Sequence, residues 1–152
     1  MEKQQRFLDL WLRKKHRTIL QSLGGLTFIL EIGRLVTSYA LKFNNNSYCF
    51  TANELDKLSF EEKNVIGASG DELAAKLFEL WNFDKLFVNS LAYSLNPADG
   101  LEPKICAAIK CARTLFNLKE IKAFEEIETI LEQFDFESSD AKVAYEILLA
   151  SS

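Results

Sequence analysis

Apolar residues recur in this sequence at helical spacing almost from end to end, and that pattern leaves little besides helices for the chain to form. Ile29, Ile32, Val36, Tyr39 and Phe43 follow one another at intervals of three, four, three and four, while Phe28 and Leu35 load a second face. A segment apolar on two faces, residues 22–42, is expected at the centre of a bundle. Gly24, Gly25, Gly33, Ser38 and Ala40 would let neighbouring helices approach it closely, and Asn44-Asn45-Asn46-Ser47 would end it, because asparagine tolerates the left-handed conformation that stops helices. No alternating strand pattern survives; residues 46–51 are the single plausible extended stretch. With six Gly and two Pro in 152 residues and 48% hydrophobic content, the chain is neither low-complexity nor disordered. Its length predicts one domain spanning 1–152, able to bury about 68–70% of its unfolded surface.

Start and stop signals divide the pattern into segments. Phe7, Leu8, Trp11 and Leu12 form an apolar stripe on a helix over 4–15. Thr51 with Glu54 reads as the capping box of a helix over 52–66. Ser69 with Glu72 reads the same way, with Leu73, Leu77, Leu80 and Trp81 as the stripe behind it. A helix over 84–95 buries Phe87, Val88, Leu91 and Leu95, and Asn96-Pro97-Ala98-Asp99-Gly100 is a turn. Pro103 suits the first turn of a helix over 102–117, where its missing N–H costs nothing. Helices over 119–134 and from Ser138 or Ser139 to Ala150 complete an all-α bundle of about seven helices.

The residues available for chemistry are few. A single histidine, His16, excludes any mechanism that needs two imidazoles from one chain, and it lies in the basic run Arg13-Lys14-Lys15-His16-Arg17 with no acidic residue to orient it. Cys49, Cys106 and Cys111 are odd in number and contain no Cys-x-x-Cys, which indicates free thiols in a reducing compartment. Glycine-rich phosphate loops and Gly-x-Ser-x-Gly are absent. The net charge of −4 offers no cationic field for nucleic acid. Neither a signal peptide nor a membrane-spanning run is present, so the expected location is the cytoplasm.

Charge is nonetheless uneven. Residues 1–20 hold six Lys or Arg against two Asp or Glu, and residues 119–152 hold three against nine. These read as solvated helix faces, or as a basic segment that docks an acidic partner. Glu125, Glu126, Glu128 and Glu132 crowd one helix, opposite Phe124, Ile127 and Leu131. The charge that stands out is Glu31, inside the greasy segment, with Arg34 three residues on. Unpaired burial would cost several kcal/mol as an order of magnitude, so the two are expected to pair, at the bundle edge or in a pocket wall.

The stretch Leu26-Thr27-Phe28-Ile29-Leu30-Glu31-Ile32-Gly33-Arg34-Leu35-Val36 resembles the segment reading Gly-Leu-Leu-His-Asp-Ile-Gly-Lys-Leu-Val in proteins of the HD superfamily. Ile66-Gly67, followed by Glu72 to Phe83, is similar to the family's second conserved helix, and Val88 to Pro97 looks like the segment that ends in a His-His pair. The similarity covers about 20–118, and the branch it resembles is the HDOD domain, the HD-related output domain of bacterial signalling proteins.

What the resemblance implies is shaped by what is missing. The family's metal-dependent members use a His-Asp pair and further histidines to hold metals that activate water against a phosphate ester. Those positions here are Leu30, Glu31, Gly70, Ser94 and Leu95. The expectation is therefore a non-enzymatic regulatory domain with no metal and no cofactor, binding a protein or a small signal. Glu31 and Arg34 would form a polar pair in the vestigial pocket. An HDOD domain also carries an additional N-terminal helical lobe, so the chain is expected to be a fragment or the HD-like half alone. Phe7, Trp11 and Leu12 would then form an exposed patch facing that lobe or a second copy. The alternatives are a diverged phosphodiesterase using carboxylates, Glu31 with the acidic cluster, and a helical scaffold that oligomerises through Phe7 and Trp11.

Overall fold

A computed structural model describes residues 2–151, and among these it is all-helical, with nine α-helices and no strands. They are α1 (Glu2–Leu12), α2 (Arg17–Leu23), α3 (Ile32–Phe43), α4 (Leu55–Ile66), α5 (Gly70–Leu80), α6 (Lys85–Ala92), α7 (Pro103–Leu115), α8 (Glu125–Gln133) and α9 (Ser138–Ala150). Two single turns of tighter 3-10 helix lie at Leu26–Ile29 and Pro97–Asp99. There are more helices than the expected seven or so, in part because two helices, α2 and α3, stand where a single segment over 22–42 was expected. Gly24 adopts φ +58°, a left-handed conformation open to glycine at little cost, and the chain restarts as the 3-10 turn before α3.

The centre of the bundle is α7, not the 22–42 segment. Cys106, Ala107, Ala108, Ile109, Cys111, Ala112 and Leu115 are all fully buried, and small residues dominate, so helices close in from several sides. α1, α6 and α8 pack against it, α9 lies on α1, and α3 lies on α5, which packs on α6. α3 sits at the edge of this arrangement. It buries Gly33, Thr37 and Leu41, while Leu35, Tyr39 and Phe43 stand 58%, 68% and 74% exposed. Leu80 and Trp81 at the end of α5 are likewise exposed, because Ala74 and Phe78 carry the inward face there.

Phe7, Trp11 and Leu12 are not an exposed patch. All three are buried in the main core, where Phe7 meets Phe116 and Trp11 meets Phe136. The stripe is covered from within the chain by α7 and α9. The charged ends meet as well: Lys15 Nζ lies 2.6 Å from Glu137 Oε2 and 3.6 Å from Asp140 Oδ2.

Local signals fared differently from one helix to the next. Ser69 and Glu72 make the full reciprocal capping box, and Asn45 stops α3 at φ +55°. Thr51 does not cap α4; its N–H and that of Ala52 donate to Glu61, so the helix starts at Leu55. Helix α8 also starts later than expected. Asn117 Oδ1 accepts from Lys119 N and Glu120 N, and Lys122 N donates to Leu115 O, which folds 117–122 into a turn pairing Phe116 with Ile121.

Candidate functional site

The crossing of α3 and α5 is a contact between two glycines. A Cβ on Gly33 would collide with the carbonyl of Gly70, and a Cβ on Gly70 would stand 2.7 Å from Arg34 Nη1 and 2.8 Å from Gly33 O. Position 70 therefore has no room for a side chain, least of all an imidazole. This close approach brings the N-terminal end of α5 against α3 and places Asp71 beside Arg34 and Arg113.

Around that crossing the fold assembles a buried ionic network. Arg113, projecting from α7 with no solvent exposure, occupies its centre. Its Nε donates to Glu31 Oε1 at 2.6 Å and its Nη2 to Glu31 Oε2 at 3.3 Å. Nη1 donates to Asp71 Oδ2 and Ser94 Oγ, and Nη2 to Asp71 Oδ1, each at 2.9 Å. All five N–H groups of the guanidinium are thereby used. Gln4 from α1 adds a donation to Glu31 Oε1 at 3.3 Å and another to Phe116 O at 2.9 Å.

Arg34 extends the network outward. Its Nη1 reaches both oxygens of Glu62 at 2.5 Å, its Nη2 lies 3.4 Å from Asp71 Oδ1, and its Nε lies 3.4 Å from Glu31 Oε2. Glu62 is itself fully buried and accepts from Thr37 Oγ1 and Gly70 N. Opposite charges thus alternate from Glu62 through Arg34 and the pair Glu31 and Asp71 to Arg113. Burial pushes the Asp71 carboxyl up, but the charge and hydrogen bonds of Arg113, with Arg34 behind it, more than reverse this and leave it below its ordinary value. Burial opposes the charge of Arg113, and Asp71 and Glu31 outweigh it, so the guanidinium is held above its ordinary value.

The expected pair Glu31 and Arg34 is present, but as the weaker link; the stronger partners are Arg113 for Glu31 and Glu62 for Arg34. Both residues line a cavity of about 460 Å³ between α3, the segment 46–53 and α4. A second, more polar cavity of about 480 Å³ borders Arg113 from the side of Lys110, Thr114 and Lys122. Of the other positions singled out by the resemblance, Ser94 accepts from Arg113, Gly70 is the helix crossing, Leu30 is core, and Leu95 gives its carbonyl to Lys110. In the acidic cluster of α8, Glu125, Glu126, Glu128 and Glu132 are all exposed, and Glu126 lines the second cavity together with Arg113.

Three members of the network, Arg113, Asp71 and Glu62, carried no motif. The readable signal was register. Arg113 falls four residues after Ile109 on the buried stripe of α7, and Glu62 falls four after the half-buried Leu58 on the apolar register of α4. A charge in an apolar register is either exposed by a helix end or paired inside. Asp71, at the second position of α5, gave no such signal. His16 remains outside the network, partly buried with its ring edge-on to Phe136 at 5.0 Å.

Among the described residues no three His, Cys, Asp or Glu side chains gather in a metal-binding arrangement. No single described helix is long and apolar enough to cross a membrane. No family model, curated protein or solved structure matches the chain.

Proposed function

We propose that this chain is a non-catalytic regulatory domain of the HDOD kind, in which an arginine has taken the place of a metal centre and the surface works by binding a protein partner. One observation carries the reading. The guanidinium of Arg113 contacts Glu31, Ser94 and, beside Gly70, Asp71, so three of the five positions that the resemblance assigns to metal ligands, or their immediate neighbours, converge on one internal cation. Each carboxylate there is committed to guanidinium groups, and none is free to take a proton from water or to hold an ion in open coordination. Such a network fixes the mutual placement of α1, α3, α5 and α7, which supports a structural task for these charges.

The binding surface in this proposal is the outer face of α3. Leu35, Tyr39 and Phe43 on α3, and Phe28 in the 3-10 turn before it, are all at least half exposed, and Tyr39 and Phe43 stack at 6.3 Å. A run of large apolar side chains on one face is a usual mark of a protein-docking site. It replaces Phe7 and Trp11 as the candidate interface, since both are spent on the core.

Two measurements test the proposal. Purified protein with added Mn²⁺ or Mg²⁺ is expected to leave cyclic dinucleotides and simple phosphate esters unhydrolysed; turnover that Glu31→Gln abolishes would establish an enzyme instead. A Tyr39→Ser/Phe43→Ser variant is expected to fold as the parent does and to lose the partner that the parent captures. Equal capture by both would remove α3 from the reading.

A further inference from the structure

We propose that the cavity between α3, the 46–53 segment and α4 binds a monocarboxylic acid with a medium-length alkyl chain. The tail would lie on Leu41, Phe50, Leu55, Leu58 and Leu118, and the carboxylate would sit at the mouth between Lys42 and Lys119. This site is separate from the docking face on α3 and does not depend on it.

The cavity's chemistry runs from apolar walls to a cationic mouth. Its volume of about 460 Å³ lies within the range of about 300–1,000 Å³ usual for small-molecule sites. Its floor is Glu31, Arg34 and Thr37, where every charge already has an opposite partner. The network beneath holds three carboxylates, Glu31, Glu62 and Asp71, against two guanidiniums, so it carries one excess negative charge and repels an anionic head from the floor. The rim has the opposite character. Lys42 and Lys119 line the cavity and are both exposed, which puts them on its solvent side, and among the described residues neither pairs with a carboxylate. Lys15, Lys57, Lys63 and Lys122 do pair.

The outer wall is held by hydrogen bonds within the chain. Glu61 on α4 accepts hydrogen bonds from Tyr48 Oη at 2.8 Å, Thr51 N at 2.8 Å and Ala52 N at 3.0 Å, and so holds the 46–53 segment over the apolar interior. A preformed wall spares the ligand the cost of ordering a loop. Cys49, the exposed cysteine, lies on this segment and lines the cavity, whereas Cys106 and Cys111 are buried.

Decanoate, titrated calorimetrically into the full chain, is the probe, and the reaction of Cys49 with a thiol reagent is the second readout. The expected result is one decanoate per chain, with the Cys49 reaction slowed several-fold. Lys42→Gln/Lys119→Gln is expected to weaken decanoate by about three- to tenfold while leaving decan-1-ol unchanged, the scale of exposed ion pairs. Leu58→Trp, which fills the cavity, is expected to abolish binding of both. Absence of heat and of Cys49 protection at about 1 mM decanoate would overturn the proposal. So would an unchanged affinity in the double lysine variant, or binding that survives Leu58→Trp and is lost in Tyr39→Ser/Phe43→Ser. Should Leu58→Trp not fold, the lysine variant and Cys49 protection decide the matter alone.

Discussion

Arg113 is the residue on which the buried carboxylates of Glu31 and Asp71 and the hydroxyl of Ser94 converge. Replacing it with methionine keeps the volume but leaves Glu31 and Asp71 buried without their main counter-ion. The expected loss is about 3–5 kcal/mol, the cost of breaking a buried pair from one side, read as a lower urea midpoint. Asp71 makes the network pH-sensitive. Its folded-state pKa is below the ordinary value of 3.8, so folding favours the ionised form. The stability this contributes is fully present above that ordinary value and is lost as pH falls through the folded one. Asp71→Asn is therefore expected to flatten the acid limb of a stability-versus-pH curve; an unchanged slope would remove Asp71 from the account. His16 is shifted the same way, by burial first and then by the charge of Lys104. As the sole imidazole it gives a single Hε1 resonance, whose titration midpoint is expected below 6.5.

At the scale of elements, the crossing of α3 on α5 is set by two residues without side chains. Gly33→Ala would press a methyl into the Gly70 carbonyl and force the helices apart. Backbone cannot yield as a flexible side chain can, so the expected cost is at least the 1–3 kcal/mol typical of overpacking, together with loosening of the Arg34–Glu62 pair. Ser69→Ala, which removes one half of the capping box on α5, is expected to cost about 1 kcal/mol in the same denaturation experiment. Helix ends governed by such local chemistry were legible in the sequence: Ser69 with Glu72, Pro103 in the first turn of α7, and Asn45 after α3. Ends decided by distant partners were not. Thr51 looked like a cap, but Glu61 draws its N–H into a different contact, and nothing near Thr51 announces this.

At the scale of the whole molecule, Trp11 shows how the bundle is closed. It lies in the core beneath Phe136, so Trp11→Ala is expected to cost about 3–5 kcal/mol and to lower thermal stability without changing the oligomeric state. The all-α class could be read from local sequence, because the spacing of apolar residues and the caps need no partner to be read. The sequence by itself also determined that Glu31 must find a counter-charge, since an unpaired carboxylate inside an apolar segment is too costly. Only the tertiary structure decided which partner that is. The separation of Glu31 from Arg113 is 82 residues, and a charge on the buried stripe of one helix specifies that it needs an opposite charge, not which helix will bring it. The same limit applies to α3. Its two apolar faces are equally visible in the sequence, and only the packing of α5 on Gly33 selects which face is buried and which is left to solvent.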